Sequence, residues 1–415
     1  MPASPWSAAI RGNVALAPGA QKDAFGRLRV SEPVELFSAS CEFDAQPLFY
    51  QDVLTGGGLA TYTGATSSVE LTVAASGDRV VRQSRYIRYR PGKSQQIFVT
   101  GNFDGMEPGV TKRIGYYDDD TQTESTGDGV FFEVDPTGIF AVRRTSTSGV
   151  STDNRVGQNS WNVDKLDGSG PSGATLDLTN VQVCVFDFGW LGAACVRWGF
   201  VINGNLVIVH EEFPSNILTV PFMRHPSLPV RWEIVGDTGT TSGSMVALCA
   251  SVQSEGGFHT LGVQRAVSLG GTPLTLAATT MRPLLSIRLR SGYKRGMIQP
   301  ESFSILANGS SPADYEVLVL VNATLTGATF ASACSEAVEF DTAATALSGG
   351  SAIDRQYGSS GGGPAKSGAM TAGLSSDVPL AASYAGVADT LTLAVRPLGS
   401  SSTNFYGSLL WREFY

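Results

Sequence analysis

Short segments in which apolar and polar residues alternate run along most of this chain, and they limit most strongly what it can fold into. Turn-forming residues, mainly Gly, Asn, Asp, Ser and Pro, separate these segments at short intervals. Alternation with a period of two places the apolar side chains on one face of a strand. The pattern is typical of an all-β sandwich or barrel, and we find no long segment with the period of a helix.

Two predicted hairpins have turn residues that match defined turn types. Asn203-Gly204 joins Arg197–Ile202 to Asn205–Val209, and Asn-Gly supplies the positive φ angles of a type I′ turn. The segment Asp135–Gly138 has proline at the first central position of a turn and glycine at its end, which suits a tight connection between two apolar strands. Neighbouring strands are therefore expected to pair in antiparallel fashion.

The strand pattern predicts an all-β chain of two β-sandwich domains, jelly-roll or lectin-like. We place an extended N-terminal arm at residues 1–30, a lectin-like domain at 31–258, and a second domain at 259–415 with an exposed Gly/Ser-rich loop at about 342–373. Further strands are predicted at Val69–Val73, Arg79–Tyr89, Gln95–Thr100, Val130–Val134, Ile139–Arg144, Val181–Phe188, Leu284–Arg290, Glu316–Ala323, Thr390–Val395 and Tyr406–Phe414.

The charge balance limits the partners. The chain has 29 Lys and Arg against 37 Asp and Glu, a net charge of -8, which argues against a general affinity for nucleic acid or for an anionic membrane. Its apolar runs are far shorter than the roughly 20 residues that a membrane-spanning helix needs. Because the N-terminus lacks the basic start and apolar core of a secretory signal, we expect synthesis in a cytoplasm and no membrane insertion.

Five cysteines are scattered along the chain without the CxxC spacing of a zinc site. Buried free thiols are the expected outcome. One pair stays open, because a hairpin turning near Trp190 and Leu191 would place Cys184 opposite Cys195. A disulfide there is geometrically conceivable, although a reducing cytoplasm disfavours it.

The most basic stretch of the chain is a candidate subunit interface or polyanion site. On a strand, Arg82, Arg88 and Arg90 share one face with Ser84 and Tyr86, and such a row of cations beside an aromatic ring could bind phosphate or an acidic sugar. An interface or pairing with carboxylates is the alternative, since Arg and Tyr are enriched at protein interfaces. The candidate residues are Arg82, Arg85, Arg88, Arg90 and Lys93.

Two further sets of residues are candidates for ligand binding. Trp161 and Trp190 lie near turns, where an exposed indole can stack on a sugar ring, whereas a buried tryptophan fills a core. Asp118, Asp119 and Asp120 could share a hard cation such as Ca²⁺ through their oxygens, and the alternative is a solvated loop. No other cofactor is expected.

Residues suited to catalysis are scarce, so we predict that the protein is not an enzyme. The histidines are His210, His225 and His259, no Gly-x-Ser-x-Gly segment precedes a helix, and the GxxxxGK[ST] phosphate loop is absent. Carboxylates such as Asp187 and Glu233 lie on predicted strands, but the sequence does not give the separation that glycoside cleavage requires.

Six segments between residues 23 and 234 carry a family resemblance. They are DAFGRLRVSEPVELF (Asp23–Phe37), RPGKSQ (Arg90–Gln95), KRIGYYD (Lys112–Asp118), GVFFEVD (Gly129–Asp135), WNVDKLDG (Trp161–Gly168) and LPVRWEI (Leu228–Ile234). These segments resemble virion structural proteins of tailed, mostly aquatic bacteriophages. The resemblance implies a place in the tail, fibre or baseplate region of a particle assembled from proteins made in the host cytoplasm, and it supplies no catalytic residues.

We therefore predict a non-enzymatic structural component of a bacteriophage particle, located in the virion. Its expected partners are other virion proteins and further copies of itself, arranged as a trimer or a ring. One alternative is a receptor-binding module for host surface glycan, and another is a capsid decoration or minor capsid protein. A third is a depolymerase that cleaves capsule or lipopolysaccharide.

Overall fold

The computed structural model separates the chain into two compact units. It describes residues 22–24, 29, 32–119, 126–190, 194–240, 242–256, 262–277, 279–309, 313–333, 335–360, 367–374 and 379–414. Unit 1 contains the described residues up to 256 except Ser84–Arg88, and unit 2 contains Ser84–Arg88 and the described residues from 262 onward. The described residues form strands, one 3-10 turn at Gln158–Ser160, and no α-helix, so the all-β prediction is confirmed.

Unit 1 contributes the first fifteen strands. They are β1 (Val34–Ser40), β2 (Tyr50–Thr55), β3 (Leu59–Thr63), β4 (Ser68–Val73), β5 (Arg79–Ser84), β6 (Gln95–Asn102), β7 (Val110–Tyr117), β8 (Gly129–Asp135), β9 (Gly138–Thr145), β10 (Thr152–Gly157), β11 (Val181–Phe188), β12 (Val196–Ile202), β13 (Asn205–Glu212), β14 (Val230–Gly236) and β15 (Gly243–Ser254).

Two antiparallel sheets pack face to face in unit 1. The eight-stranded sheet has the order β13-β12-β11-β6-β15-β4-β3, with β1 also paired to β15, and the seven-stranded sheet has the order β10-β9-β8-β7-β14-β5-β2. Phe132 of the seven-stranded sheet contacts Phe186 and Phe200 of the other, with ring centroids 5.4 and 4.3 Å apart. Trp198 and Trp232 are fully buried, so large aromatic side chains form the core of a β-sandwich.

Both predicted hairpins are confirmed. β12 and β13 pair across Asn203 and Gly204, whose φ angles are 50° and 76°, as a type I′ turn requires. β8 and β9 pair up to Asp135 opposite Gly138, and the Asp135 carboxylate accepts the Thr137 amide at 2.7 Å. The turn residues thus fix the register of two strand pairs that lie in different sheets.

Unit 2 contributes the remaining strands. They are β16 (Val263–Ser268), β17 (Leu274–Leu276), β18 (Arg282–Leu289), β19 (Met297–Gly309), β20 (Asp314–Val321), β21 (Thr324–Thr326), β22 (Ala331–Ser332), β23 (Val338–Asp341), β24 (Ala346–Ser348), β25 (Ser351–Ser359), β26 (Ser367–Gly373), β27 (Thr390–Pro397) and β28 (Thr403–Phe414).

Unit 2 is a second β-sandwich. Its five-stranded sheet has the order β16-β28-β19-β26, with β17 also paired to β28, and its six-stranded sheet has the order β22-β23-β18-β27-β20-β25. Buried apolar side chains from both sheets, among them Leu285, Val317, Ile305 and Trp411, form one cluster. A small hairpin of β21 and β24 completes the unit.

Two predicted segments differ from the structure. The strand predicted over Arg79–Tyr89 ends at Ser84, so the expected common face of Arg82, Arg88 and Arg90 is wrong. The Gly/Ser-rich segment 342–373 is not a long loop, because β24, β25 and β26 lie within it. Low strand propensity there is overridden by pairing of β25 with the apolar strand β20.

The predicted N-terminal arm falls mostly outside the described residues. Its described part contacts unit 1, where Ala24 packs against Ala194 and Cys195 and Arg29 pairs with Asp187 at 2.6 Å.

The described cysteines, Cys41, Cys184, Cys195 and Cys249, are free thiols. Cys184 lies opposite Phe200 rather than Cys195, because the pairing of Phe188 with Val196 centres the hairpin later in the chain than predicted. None of the described residues belongs to a helix long and apolar enough to cross a bilayer.

Candidate functional site

The outer face of the seven-stranded sheet carries the largest cluster of charged side chains described in unit 1. On β7 and β14, charged residues alternate with apolar ones: Arg113 precedes Ile114, and Trp232 separates Arg231 from Glu233. The apolar members of each pair face the core. Because side chains of a strand alternate between its two faces, the charged members project together from the opposite face.

Glu233 lies near the middle of this face, and its carboxylate is bonded on several sides. Its Oε1 accepts from Arg79 Nε at 2.7 Å and lies 3.5 Å from Arg113 Nη1. Its Oε2 accepts from the Tyr117 hydroxyl at 2.9 Å. A carboxylate that is only 2% exposed would be costly to bury without such partners, so these side chains fix its position and charge.

The ion pairs continue in both directions from Glu233. Arg79 also pairs with Asp119, whose Oδ2 lies 3.0 Å from Arg231 Nη1. On the other side Arg113 Nε donates to Glu133 at 2.6 Å, and Arg155 joins Glu133 to Asp135. Four arginines thus alternate with four carboxylates, and we call this set the charge chain: Arg231, Asp119, Arg79, Glu233, Arg113, Glu133, Arg155 and Asp135.

The charge chain holds its members in fixed protonation states. Burial alone would raise the pKa of Glu233, but Arg113, Arg79 and Arg231 lower it to about 2. Burial and the adjacent Glu233 carboxylate raise the pKa of Tyr117 well above its usual value. At neutral pH Glu233 is therefore ionised and Tyr117 is protonated, whereas a general acid or base works best with a pKa near the working pH.

One buried carboxyl of unit 1 behaves differently, because burial raises the pKa of Asp128. Its oxygens accept the backbone amides of Ser146, Arg224 and His225 at 2.9 to 3.2 Å and the Ser146 hydroxyl at 2.8 Å. These donors come from separate segments of the chain, so Asp128 ties loops together. Its oxygens have little capacity left for a substrate.

Aromatic rings lie among the arginines of the charge chain. The Arg155 guanidinium is 3.9 Å from the centroid of Phe140, and Arg231 is 5.0 Å from that of Tyr117. Tyr117 and Phe131 are buried and pack at an interplanar angle of 35° with centroids 4.3 Å apart, whereas Phe140 is partly exposed. Contact with an aromatic face is a usual way to hold arginine in place. The Phe140 and Tyr117 rings therefore restrict the positions of the Arg155 and Arg231 guanidiniums.

Exposure differs between the two signs of charge. The Arg79, Arg113 and Arg155 side chains are 23%, 21% and 37% exposed, whereas those of Glu133 and Glu233 are 5% and 2% exposed. Among these five side chains, solvent therefore meets mainly guanidinium edges. At the two ends of the charge chain the exposure is reversed, because Arg231 is 0% and Asp135 is 17% exposed. Chemically, this face offers fixed N–H donors with little net charge.

A shallow depression of about 370 Å³ lies on the eight-stranded sheet. Directly opposed residues of β1, β15 and β6 line it in two rows: Ser38, Ser251 and Phe98 form one, and Ser40, Cys249 and Thr100 form the other. Its side chains are small, hydroxylic or apolar, and none is charged: Ser38, Ala39, Ser40, Phe98, Thr100, Cys249, Ala250 and Ser251. This surface and the charge chain are chemically distinct.

The structure does not bring the predicted basic residues together as one exposed row. Arg82 is buried, donates to both Asp52 oxygens at 2.7 and 2.8 Å, and lies over the Tyr50 ring at 4.7 Å. Arg85 pairs with Asp389 at 3.0 Å within unit 2. Each charge is compensated by a carboxylate of its own unit, and the two arginines do not continue one row because β5 ends at Ser84.

The other basic candidates are partly exposed. Arg88, also in unit 2, lies 4.4 Å from the centroid of the Phe414 ring. Lys93 donates to the Gly256 carbonyl, and burial lowers the pKa of Arg90. Polyanion binding by this stretch stays a prediction.

The two tryptophan candidates have different surroundings. Trp161 is 3% exposed, contacts Phe132 and donates to the Val156 carbonyl at 3.0 Å, so its ring is part of the core and offers no face to a sugar. Trp190 is partly exposed, donates to the Met223 carbonyl at 2.8 Å and packs edge-on against Tyr89.

The aspartates proposed to bind calcium have protein partners. Asp118 is buried and accepts the Asp128 amide at 2.9 Å, and Asp119 pairs with arginines of the charge chain. Asp120 lies outside the described residues. Among the described residues, no three His, Cys, Asp or Glu side chains are arranged to hold a metal ion.

Most members of the charge chain were not among the sequence candidates. The available signal was the alternation of charged and large apolar residues within a strand, as in Arg231-Trp232-Glu233, which indicates one core face and one charged face. Opposite signs two residues apart further indicate pairing with neighbouring strands. Without the strand order, the sequence cannot show which strands supply the partners.

The structure is similar to carbohydrate-active proteins of known structure, whereas no family model and no curated sequence matches the chain. Similar structures include a glycoside hydrolase family protein from Mycobacterium thermorestibile (10% identity, 52% of this chain and 99% of that chain, TM-score 0.36). The Bacillus licheniformis β-glucanase has 12% identity over 52% of this chain and 96% of that chain, with a TM-score of 0.33. Peanut lectin has 11% identity over 54% of this chain and 98% of that chain, with a TM-score of 0.33.

These structures correct the predicted function. They are hydrolases, a glucanase, an alginate lyase and lectins, and the predicted role as a structural component of a bacteriophage particle is wrong on this comparison. The predicted β-sandwich class is confirmed by the antiparallel sheets of the chain itself. At these TM-scores the comparison assigns neither an activity nor a substrate to the chain.

Proposed function

We propose that unit 1 is a non-catalytic module that binds a neutral saccharide on the outer face of its seven-stranded sheet. The observation that carries the proposal is the charge chain, in which guanidinium edges are exposed above buried carboxylates. It presents hydrogen-bond donors on a sheet surface with the charges already balanced. A neutral, oxygen-rich ligand matches such a surface better than an ion does.

Rigidity of the donors favours binding of a sugar. Arginine loses side-chain entropy when it is immobilised by a ligand, but Arg113 and Arg155 are already fixed by ion pairs and Arg155 by the Phe140 ring. Hydroxyl and ring oxygens of a saccharide can accept from their remaining N–H groups. The partly exposed Phe140 ring offers an apolar surface beside them.

Ionisation of the carboxylates favours binding over cleavage. Glycoside hydrolysis needs one carboxyl with a raised pKa to protonate the leaving group. In the charge chain the pKa of Glu233 is lowered to about 2. Asp128, whose pKa is raised, is occupied by backbone and hydroxyl donors.

The test is direct binding followed by one matched pair of variants. A neutral glycan array identifies ligands, and isothermal titration calorimetry then compares the native protein with Arg155→Ala. Loss of a charged hydrogen-bond donor should weaken binding by roughly tenfold, from about 1.4 kcal/mol.

Arg288→Ala is the control, because Arg288 has nearly the same environment in unit 2. It pairs with Glu339 at 2.6 Å and lies 3.8 Å from the Phe330 centroid, against 2.6 Å to Glu133 and 3.9 Å to Phe140 for Arg155. The Arg288→Ala variant should bind the neutral glycan with the affinity of the native protein. Equal affinity of Arg155→Ala, or silence of the whole array, overturns the proposed site. Release of reducing ends or unsaturated sugars from a bound glycan, abolished by Glu233→Gln, overturns the non-catalytic assignment.

A further inference from the structure

We propose that unit 2 carries a separate binding site for an anionic saccharide, formed by Arg355, Arg396 and Tyr357 on the outer face of its six-stranded sheet. The ligand class is a sugar that bears a carboxylate or a sulfate. This site does not depend on the charge chain of unit 1 and has a different balance of charge.

The site is organised around one buried carboxylate. Glu316 of β20 is 1% exposed, its Oε1 lies 3.4 Å from Arg355 Nε, and its Oε2 accepts from Arg396 Nε at 2.5 Å. Two arginines thus share one glutamate. Because each uses its Nε, the two planar guanidiniums are anchored by their inner edges.

The outer edges of both guanidiniums are accessible. The Arg355 and Arg396 side chains are 56% and 41% exposed, and within the described part of unit 2 their Nη atoms make no hydrogen bond or ion pair. Each Nη carries N–H donors in the fork geometry that suits a carboxylate or a sulfate. Arg355 and Arg396 together carry one more positive charge than Glu316 neutralises. The two guanidiniums can therefore bind an anion between them, and we call them the clamp.

Tyr357 supplies the part of the site that favours a sugar over a free ion. It lies directly opposite Glu316 in the register of β20 and β25, and Arg396 lies opposite Glu316 on the other side. Side chains of directly opposed residues share a face, so these three form one row across the sheet. Tyr357 is 63% exposed, which leaves its ring available to stack on the apolar face of a pyranose.

The neighbouring charges define the limits of the site. Asp314 precedes Glu316 by two residues on the same face of β20, roughly 6.8 Å away along the strand, and it is exposed. Asp354 and Arg355 are consecutive residues of β25, so their side chains project from opposite faces of the sheet. The Asp354 carboxylate accepts a hydrogen bond from the Gln356 side chain at 2.9 Å. Asp314 should therefore repel an anion held by the clamp, and its removal should strengthen binding.

Binding of three probes by the full chain tests the site. Oligogalacturonate carries carboxylates, dextran sulfate carries sulfates, and neutral dextran carries neither. Calorimetry should detect binding of at least one anionic probe, weakening as salt is raised because the contacts are exposed, and no binding of neutral dextran at this site. The stronger of the two anionic probes identifies the preferred acid group.

Variants then assign the binding to these residues. Arg355→Ala and Arg396→Ala should each weaken anionic binding by roughly tenfold, as expected for loss of a charge-assisted hydrogen bond. Tyr357→Phe should bind normally and Tyr357→Ala more weakly, whereas Asp314→Asn should bind more tightly. Arg288→Ala is the control, because its guanidinium on the same sheet has a carboxylate of its own.

Two results overturn the inference. One is the absence of binding of either anionic probe by the native protein, and the other is unchanged affinity when both Arg355 and Arg396 are replaced. Melting temperatures of the variants check that unit 2 stays folded when these exposed side chains are replaced. The two proposals fail separately, because Arg155→Ala changes only unit 1 and the Arg355 and Arg396 variants change only unit 2. Unchanged neutral-glycan binding by Arg155→Ala overturns the proposed function alone, and unchanged anion binding by the Arg355 and Arg396 variants overturns this site alone.

Discussion

Replacement of Glu233 by glutamine tests whether the charge chain holds unit 1 together. The pKa of Glu233 falls from its ordinary 4.5 to about 2, and each tenfold change in an acid dissociation constant corresponds to about 1.4 kcal/mol. The ionised carboxylate therefore stabilises the fold by about 3 kcal/mol, in line with the roughly 3–5 kcal/mol lost when one partner of a buried ion pair is removed. Glu233→Gln should lose this amount at pH 7.

The pH dependence gives the same prediction a second, independent readout. Because the folded-state pKa is lowered, the stabilisation by the Glu233 carboxylate is complete above the unfolded-state pKa of 4.5 and is lost as the pH falls through the folded-state pKa of about 2. The difference in stability between the native protein and Glu233→Gln should therefore shrink from about 3 kcal/mol at pH 7 to about half of that near pH 3. Because glutamine does not ionise, Glu233→Gln should lack the part of the stability loss at low pH that protonation of Glu233 causes in the native protein.

Urea unfolding followed by tryptophan fluorescence is a suitable measurement. Four described tryptophans, Trp161, Trp190, Trp198 and Trp232, lie in unit 1, so the signal reports mainly on that unit. Glu339→Gln in unit 2 is the control, and it should leave the transition of unit 1 unchanged, because its partly exposed partner Arg288 also lies in unit 2. A loss below about 1 kcal/mol for Glu233→Gln at pH 7, or a loss that is the same near pH 3, would refute the reasoning.

Three further substitutions test other parts of unit 1 by the same unfolding measurement. Gly204→Ala should cost about 1 kcal/mol because the residue has a φ of 76°, and an unchanged midpoint would contradict the turn assignment. Gly115→Ala should cost about 2 kcal/mol or more, since an added Cβ would lie 2.4 Å from the Phe131 Cβ; a stable variant would show that β7 and β8 can separate. Burial lowers the pKa of His210 against the opposing effect of Glu212, so stability should fall as the pH drops below about 6.5, and His210→Gln should flatten that slope.

Features fixed by neighbouring residues were predictable from the sequence. The Asn203-Gly204 turn sets its own backbone angles, and the strands on either side follow from alternation. The segment Arg79–Tyr89 shows where such reasoning stops, because alternation continues in the sequence while β5 ends at Ser84. The cysteine pair shows the same limit, since a small displacement of the hairpin centre along the chain places Phe200 rather than Cys195 opposite Cys184.

The candidate site was not predictable because its contacts join distant parts of the chain. Arg79 and Glu233 are 154 residues apart, and Arg79 and Asp119 are 40 apart. Those partners meet because β14 lies between β5 and β7 in the sheet, and strand order is not encoded in any local pattern. A charged residue alternating with apolar ones predicts a charged face, whereas the identity of each partner requires the topology.

Both proposed sites consist of arginines paired with carboxylates, but the ratio of arginines to carboxylates differs between them. This ratio determines whether a site suits a neutral or an anionic ligand. In the charge chain each arginine has carboxylates on its flanks, so the surface is rigid and close to neutral. Around Glu316 two arginines share one buried carboxylate and keep their outer N–H groups in solvent. Since exposed unbalanced charge interacts with ions and is screened by salt, binding to unit 2 should depend on salt and on ligand charge, whereas binding to unit 1 should depend on hydroxyl geometry.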